Sequence, residues 1–195
     1  MAGAGHSRFA SLHDVELCTH AAVGERAAFG ELVRRHGSAV RGVLRRMGAA
    51  PAEADDVAQD AFLTAFERIA EFRGEGTFAA WVKKIAARLY LRRLQRERKL
   101  GVLAAEAADD EETHKPRSDA DAAIDLDGAL KTLGAAERLC VTMCFGAGLS
   151  HSEAAEALNL PLGTVKSHVK RGLDKLRARL APESHAVVEE RRHNG

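Results

Sequence analysis

Rings are what this chain has least of. Aromatic residues fill 5% of its 195 positions, seven Phe beside one Trp and one Tyr. A core of ordinary size must then come mainly from Ala, Leu and Val, a supply that favours helices. Cysteine is scarce as well, three residues in all. An odd number without an export signal excludes a disulfide framework and points to reduced thiols in the cytoplasm. No apolar run approaches the length of a membrane span, and the opening MAGAGHSRFASLHD lacks the apolar centre of a signal peptide. No membrane insertion is therefore expected. Nor is there an excess of one charge: 29 Lys and Arg against 28 Asp and Glu leave a net charge of +1. The chain is not a polycation, so any nucleic-acid signal must lie in how its charge is distributed. No internal repeat is visible.

The parts of an enzyme are missing too. Gly74 and Gly76 in FRGEGTF lack the further glycine and the Lys-Ser/Thr pair of a phosphate-cradling loop. Asp56 and Asp60 have no His, Ser or Lys at a spacing suited to acid–base work and read as a dipole-matched or partner-facing surface. Cys140 and Cys144 are one helical turn apart, but a metal site needs two more ligands and His151 is the only nearby candidate. Among apolar neighbours they read as small core residues. His36 reads as a partly buried polar residue. No catalytic residue, metal or cofactor is expected.

What is present is a succession of amphipathic helices. Ser11–Glu25 reads as a short helix anchored by Leu12, Val15 and Leu17. A second runs from about Gly24 to Met47 on a stripe of Phe29, Leu32, Val33, His36, Val40, Val43, Leu44 and Met47. After Gly48 and Pro51, a third crowds Glu53, Asp55 and Asp56 at its start, where the helix dipole favours acids. It buries Val57, Ala61, Phe62, Ala65, Phe66 and Ile69 and exposes Asp56, Gln59, Asp60 and Arg68. The helix from Trp81 to Lys99 sets Lys83, Lys84, Arg88, Arg92, Arg93, Arg96, Arg98 and Lys99 against Glu97 alone. Like charges at i,i+4, such as Arg88 and Arg92, repel in isolation and would be relieved by a polyanion. A basic helix beginning beside aromatics suits a surface that tracks a nucleic-acid backbone and stacks a base.

The composition then flips. GVLAAEAADDEETHKPRSDAD reads as a flexible acidic linker, and its acids cancel the basic helices in the net charge. Beyond it, Leu126, Leu130 and Leu133 form one stripe, and Leu139, Cys140, Val141, Met143 and Cys144 another. LSHSEAAEALNLPLGTVKSHVKRGLDKLRARL then reads as a helix-turn-helix. Ser150 and Glu153 form a capping box, Asn159 suits the left-handed stop, and Pro161 suits the next helical start. The second helix is expected to bury Val165, Val169, Leu173, Leu176 and Leu180 and to expose Thr164, Lys166, Ser167, His168, Lys170, Arg171 and Lys175. Hydroxyls near its start suit base edges in the major groove, and its cations suit phosphates. The fold class expected is all-α: two small helical domains joined by a flexible acidic linker, the C-terminal one a helix-turn-helix.

Three segments in order resemble bacterial sigma factors of the extracytoplasmic-function (ECF) type. They are Glu53-Ala54-Asp55-Asp56 with Gln59 and Phe62; Phe72, Arg73, Gly74, Phe78, Trp81, Ile85 and Ala86; and the run Gly163 to Ser167. The resemblance implies a region 2-like domain over 1–99, a linker over 100–122, a region 4-like domain over 123–181 and a mobile tail over 182–195. It implies that Asp55, Asp56, Gln59 and Phe62 bind core RNA polymerase. It assigns the minus-ten promoter element to Phe72, Arg73, Phe78, Trp81, Lys83, Lys84, Arg88 and Arg92. It assigns the minus-thirty-five element to Thr164, Lys166, Ser167, His168, Lys170 and Arg171. An anti-sigma factor is the further partner it implies. The chain departs from the family in carrying Arg88 and Arg92 where Asn and Asp are usual, Gly134 for a proline, and His168 for an arginine. The alternative is a sigma-like decoy that binds an anti-sigma factor without using DNA, which has no reason to keep cations on both DNA-facing helices. A conventional regulator would not explain Asp55–Gln59 or Phe72–Trp81.

Overall fold

The computed structural model of the chain describes residues 8–74, 76–105 and 126–180. Among these residues all regular structure is helical: α1 (Asp14–Ala22), α2 (Arg26–Met47), α3 (Pro51–Glu67), one 3-10 turn (Ile69–Glu71), α4 (Phe78–Ala105), α5 (Leu126–Lys131), α6 (Ala135–Val141), a π-turn (Thr142–Gly146), α7 (His151–Leu158) and α8 (Leu162–Leu180). None of these helices is long and apolar enough to cross a membrane. Helix α4 continues to Ala105, past the boundary expected at residue 99. The rest of the acidic segment and the tail lie outside the described residues.

In the first half α2, α3 and α4 pack on one another, with α1 laid on α2. Gly48 ends α2 at φ 115°, a left-handed turn that side-chain-bearing residues rarely take, and Pro51 starts α3. The few rings of the sequence gather here. Phe29 meets Phe62, Phe66 and Phe78 edge-on at centroid separations of 6.4, 4.9 and 6.2 Å. Phe78 in turn meets Phe72 at 6.0 Å and Trp81 at 5.9 Å. Such pairs contribute about 0.5–1.5 kcal/mol each beyond the area they bury. Ala, Leu and Val still supply most of the core of this half, as expected, and the long helices set one ring cluster among them. Glu31 accepts from Arg34 and Arg35 at 2.6–2.7 Å, and Arg35 also donates to the carbonyls of Ala10 and Leu12, both at 2.8 Å. His36 is half-buried and paired with Asp14 at 2.7 Å.

The described core of the second half has no ring and is filled by aliphatic side chains such as Leu130, Leu133, Met143, Val165 and Leu176. Gly172 lets α8 lie against α6, since a Cβ there would come within 2.7 Å of Val141 Cγ2. The halves also touch each other. Cys140, Met143 and Ala147 are buried in the same cluster as Val43, Ala86 and Leu91. Polar ties cross the seam at Arg46–Asp127 (2.6 Å), Arg88–Glu153 (3.1 Å) and Gln95 Nε2 to the Ala157 carbonyl (3.0 Å).

Three expected anchors point to solvent: Val15 is 56% exposed, Leu126 42% and Leu180 40%. The buried stripe of α1 is Leu17, Cys18 and Ala21, and Val15 lies more than a quarter turn from its centre. Leu126 opens α5 before a neighbour can cover it. Leu180 lies one turn past Leu176, the last buried residue of α8, whose stripe is Val165, Val169, Gly172 and Leu176. Leu173 is only half-buried. Near the start of α3, only Glu53 occupies the first turn; Asp55 and Asp56 stand in the second.

Candidate nucleic-acid and partner interfaces

Helix α3 presents Asp55, Asp56 and Gln59 to solvent. Beside them an apolar groove of about 710 Å³ opens between α2 and α3, lined by Phe29, Val33, Phe62, Leu63 and Phe66. Phe62 forms its floor at 7% exposure, while Leu63 stands on the rim at 56%. Leu63 was missed in the sequence, where it falls outside the buried stripe. Arg41 reaches Asp55 across the groove at 3.5 Å. An apolar trough with a mixed-charge rim suits a protein helix better than phosphate, which the carboxylates would repel.

At the other end of the bundle the chain turns through Gly74 (φ 74°) and Gly76 (φ 87°) into α4, where the Ala80 N–H donates to Thr77 Oγ1 at 3.1 Å. Phe72 and Trp81 are half-buried, their rings 5.4 Å apart, and Arg73 is exposed. Phe78, expected to touch DNA, is 1% exposed. It is the centre of the ring cluster and supports Phe72 and Trp81 from below. A base can reach the edges of those two rings but not Phe78.

The cations of α4 are less free than their sequence suggests. Lys84 and Arg88 both point to Glu153 at the start of α7, at 3.5 and 3.1 Å. Arg93 lies between Glu97 (3.2 Å) and Glu53 (3.6 Å). Lys83 lines the seam, and Arg92 stands at the mouth of a polar crevice shared with Glu156 and Asn159. Within the linear sequence only Glu97 was visible as a counter-charge; Glu53 and Glu153 arrive through the fold. The Ser150 backbone N–H, followed by the Ser150 hydroxyl contact and Lys84, holds the Glu153 carboxyl below the usual range against the opposing effect of burial.

Helices α7 and α8 form the expected helix-turn-helix. The Ser150 N–H donates to Glu153 Oε2 at 2.8 Å, and the Glu153 N–H returns to Ser150 Oγ at 3.1 Å. Asn159 takes the left-handed stop at φ 52°. Helix α8 begins at Leu162, so the Pro161 carbonyl accepts from the Thr164 N–H at 2.9 Å. Lys166, Ser167, Lys170 and Arg171 are exposed, while Thr164 and His168 are half-buried. The Ser167 hydroxyl donates back to the Gly163 carbonyl at 2.8 Å, and Arg171 lies 3.2 Å from His168 Nδ1. Further along, Lys175 is tied to the buried Glu137 at 2.7 Å, with Arg171 at 3.9 Å from the same carboxylate. The Lys175 side chain, then the Gly134 backbone N–H and the Arg171 charge, hold that carboxyl below its ordinary range against the opposing effect of burial. Lys175 is therefore an internal strut as much as a cation for phosphate.

Burial pushes the Cys140 thiol up to about 11 and raises Cys144 too, so both stay protonated near neutral pH. Among the described residues no group of three or more metal-ligating side chains comes together.

Family models described as sigma-70 region 2 and sigma-70 region 4 match residues 32–100 and 129–178. RNA polymerase sigma factor NccH of Alcaligenes xylosoxydans xylosoxydans is 32% identical over 175 residues, covering 86% of this chain and 94% of the relative. ECF RNA polymerase sigma factor SigE of Mycolicibacterium smegmatis is 31% identical over 172 residues; the match covers 84% of this chain but 66% of that longer protein. Among solved structures, CnrH (the Cupriavidus metallidurans sigma factor) in complex with the cytosolic domain of CnrY matches with a TM-score of 0.50 and 28% identity. That match covers 88% of this chain and 99% of CnrH.

Proposed function

The chain belongs to the sigma-70 family of RNA polymerase sigma factors, in its extracytoplasmic-function branch, and from that membership we propose that it binds core RNA polymerase and directs initiation at its own promoters. The observation that carries this reading is the α2–α3 groove. An apolar trough flanked by exposed Asp55, Asp56 and Gln59 has no use in a protein that only binds DNA. Core polymerase is its occupant. Phe72, Arg73 and Trp81 read and open the minus-ten element, with Lys84, Arg88 and Arg92 along the backbone. The start of α8 reads the minus-thirty-five element. An anti-sigma factor is the third partner, a reading supported by the complex in which CnrH was solved. These partners place the work in the cytoplasm.

Transcription in vitro with purified core polymerase, followed by mapping of start sites, tests the whole reading. Asp55→Lys with Asp56→Lys should abolish co-purification with core polymerase while helicity is unchanged; retained binding removes the groove assignment. In the second half, Lys166→Ala should change which minus-thirty-five sequence is preferred, by about 1–3 kcal/mol for one base contact. Arg171→Ala should weaken all sequences alike and lower the salt slope by roughly one. The reverse pattern would take α8 out of the groove.

A further inference from the structure

We propose that the chain binds a small phosphate-class oxyanion, best matched by a diphosphate group, in the seam between its halves, held by Arg45, Arg46, Lys131 and Arg138. These residues surround a concavity of about 240 Å³, in which Asp127 is the single acid. Arg45 and Arg46 come from the last turn of α2, Lys131 ends α5, and Arg138 projects from α6. Both halves of the chain therefore build the site.

Its charges are not balanced from within. Asp127 pairs with Arg46 at 2.6 Å, and among the described residues no carboxylate lies within ion-pair distance of Arg45, Lys131 or Arg138. Arg138 is half-buried, and its Nε is shielded from solvent without a hydrogen-bond partner among the described residues. Its Nη2 is wedged over the glycine that ends α2, where a Cβ on Gly48 would come within 3.4 Å. A sheltered guanidinium without an acceptor is costly unless something fills that role. The C-terminal dipole of α2 offers only about half a charge against four cations.

The chemistry of the missing acceptor follows from the lining. A net excess of three positive charges remains after Asp127 is counted. One carboxylate would leave most of that excess in place, whereas a diphosphate matches it. Arginine forks bind tetrahedral oxyanions through paired N–H donors, and lysine adds a point charge. The volume equals about eight waters at roughly 30 Å³ each, room for a diphosphate with little to spare. The groove on α3 and the reading helix α8 are not involved, so this site stands independently of the promoter reading.

The test is calorimetric titration and thermal melting of the full chain with sodium pyrophosphate, against sodium chloride at matched ionic strength. One site per chain and a rise in Tm of about 2–4 °C at saturation are expected. Arg45→Ala with Lys131→Ala removes two exposed side chains without touching the core, and should weaken binding at least tenfold. Arg138→Gln should act in the same direction. Orthophosphate should bind more weakly than pyrophosphate. Equal binding of a nucleoside diphosphate locates recognition in the diphosphate, and tighter binding assigns the site to a nucleotide; either keeps the proposal. Three results would overturn it: no binding beyond the chloride control, undiminished binding in the Arg45/Lys131 double variant, or equal displacement by duplex DNA whose own affinity falls in that variant.

Discussion

Residues 26–105 pack long helices around rings, whereas residues 126–180 pack three helices of 6, 7 and 8 residues against α8 around aliphatic side chains and a glycine. Six of the seven Phe lie before residue 79, and the seventh, Phe145, is 65% exposed. The difference follows from what each half presents. The first must hold an apolar trough and an aromatic edge rigid in water, and interlocked rings brace both. On the proposed reading, the second must carry one helix far enough out to enter a groove. Small residues at Val141, Ala154 and Gly172 let its short helices approach closely without a large core. Rigidity in one half comes from filled volume, in the other from closeness.

The sharpest way to break this comparison is to remove the central ring. Phe78→Ala should cost about 3–5 kcal/mol in urea unfolding, since it empties the point where Phe29, Phe72 and Trp81 meet. Cys140→Ala, equally buried in the other half, should cost clearly less, because only a sulfur is lost. Equal costs would deny the ring cluster its special place. Next comes closeness itself. Gly172→Ala puts a methyl 2.7 Å from Val141 Cγ2 and should cost about 1–3 kcal/mol by overpacking. Val141→Ala in the same chain should recover part of that loss. A neutral Gly172→Ala would mean α6 and α8 have room to spare.

A smaller effect is expected at the seam. Glu153→Gln keeps a cap for α7 but removes the charge that engages Lys84 and Arg88. Partly exposed pairs of this kind are worth about 0.2–1 kcal/mol. DNA affinity of the full chain should therefore rise only a few-fold in a gel-shift titration. A fall would show that Glu153 helps the DNA surface. The least conspicuous difference appears only in acid. Side-chain bonds from Arg34 and then Arg35 hold Glu31 at about 2, far below its ordinary 4.5, while Glu137 and Glu153 are lowered without reaching that extreme. Depressed carboxylates stabilise the fold above their unfolded pKa, and the benefit disappears as pH falls through the folded value. Glu31, with the widest such interval, should thus make the first half loosen first between pH 4.5 and 2. The fluorescence of Trp81, the only tryptophan, which reports the first half, should begin to change before far-UV circular dichroism falls. Coincident transitions would erase the distinction.

Local chemistry made much of this legible beforehand. The Ser150–Glu153 box, the Asn159 stop and the stripe of α2 depend on residues a few positions apart, and periodicity shows them. Register failed in two ways: Leu126 and Leu180 fit their stripes but lie beyond the neighbours that would cover them, while Val15 sits off the buried stripe of α1. Long-range facts were out of reach. The partners of Lys84 and Arg88 sit 65 or more residues away in the chain. The family resemblance assigns Phe78 to DNA, and only packing separates the supporting ring from the exposed ones. Gly172 carried no visible signal, since a helical glycine discloses nothing of the helix beside it.

The seam between Arg88 and Glu153 also sets a question of length. Elements centred near minus ten and minus thirty-five are about 25 base pairs apart, roughly 85 Å at 3.4 Å per pair. In this arrangement α4 and α7, the helix that precedes α8, are joined by a contact of 3.1 Å. One molecule reading both must part its halves, and what limits their separation is the 20 residues between Ala105 and Leu126. Fully extended, that stretch spans at most about 70 Å. Alone it falls short of the required distance, so the halves themselves must span the remainder. The count of residues in the tether, a quantity on which neither reading surface depends, thereby becomes a ruler. Shortening it by about ten residues should leave each half folded and DNA-competent while narrowing the set of promoter spacings the chain can serve.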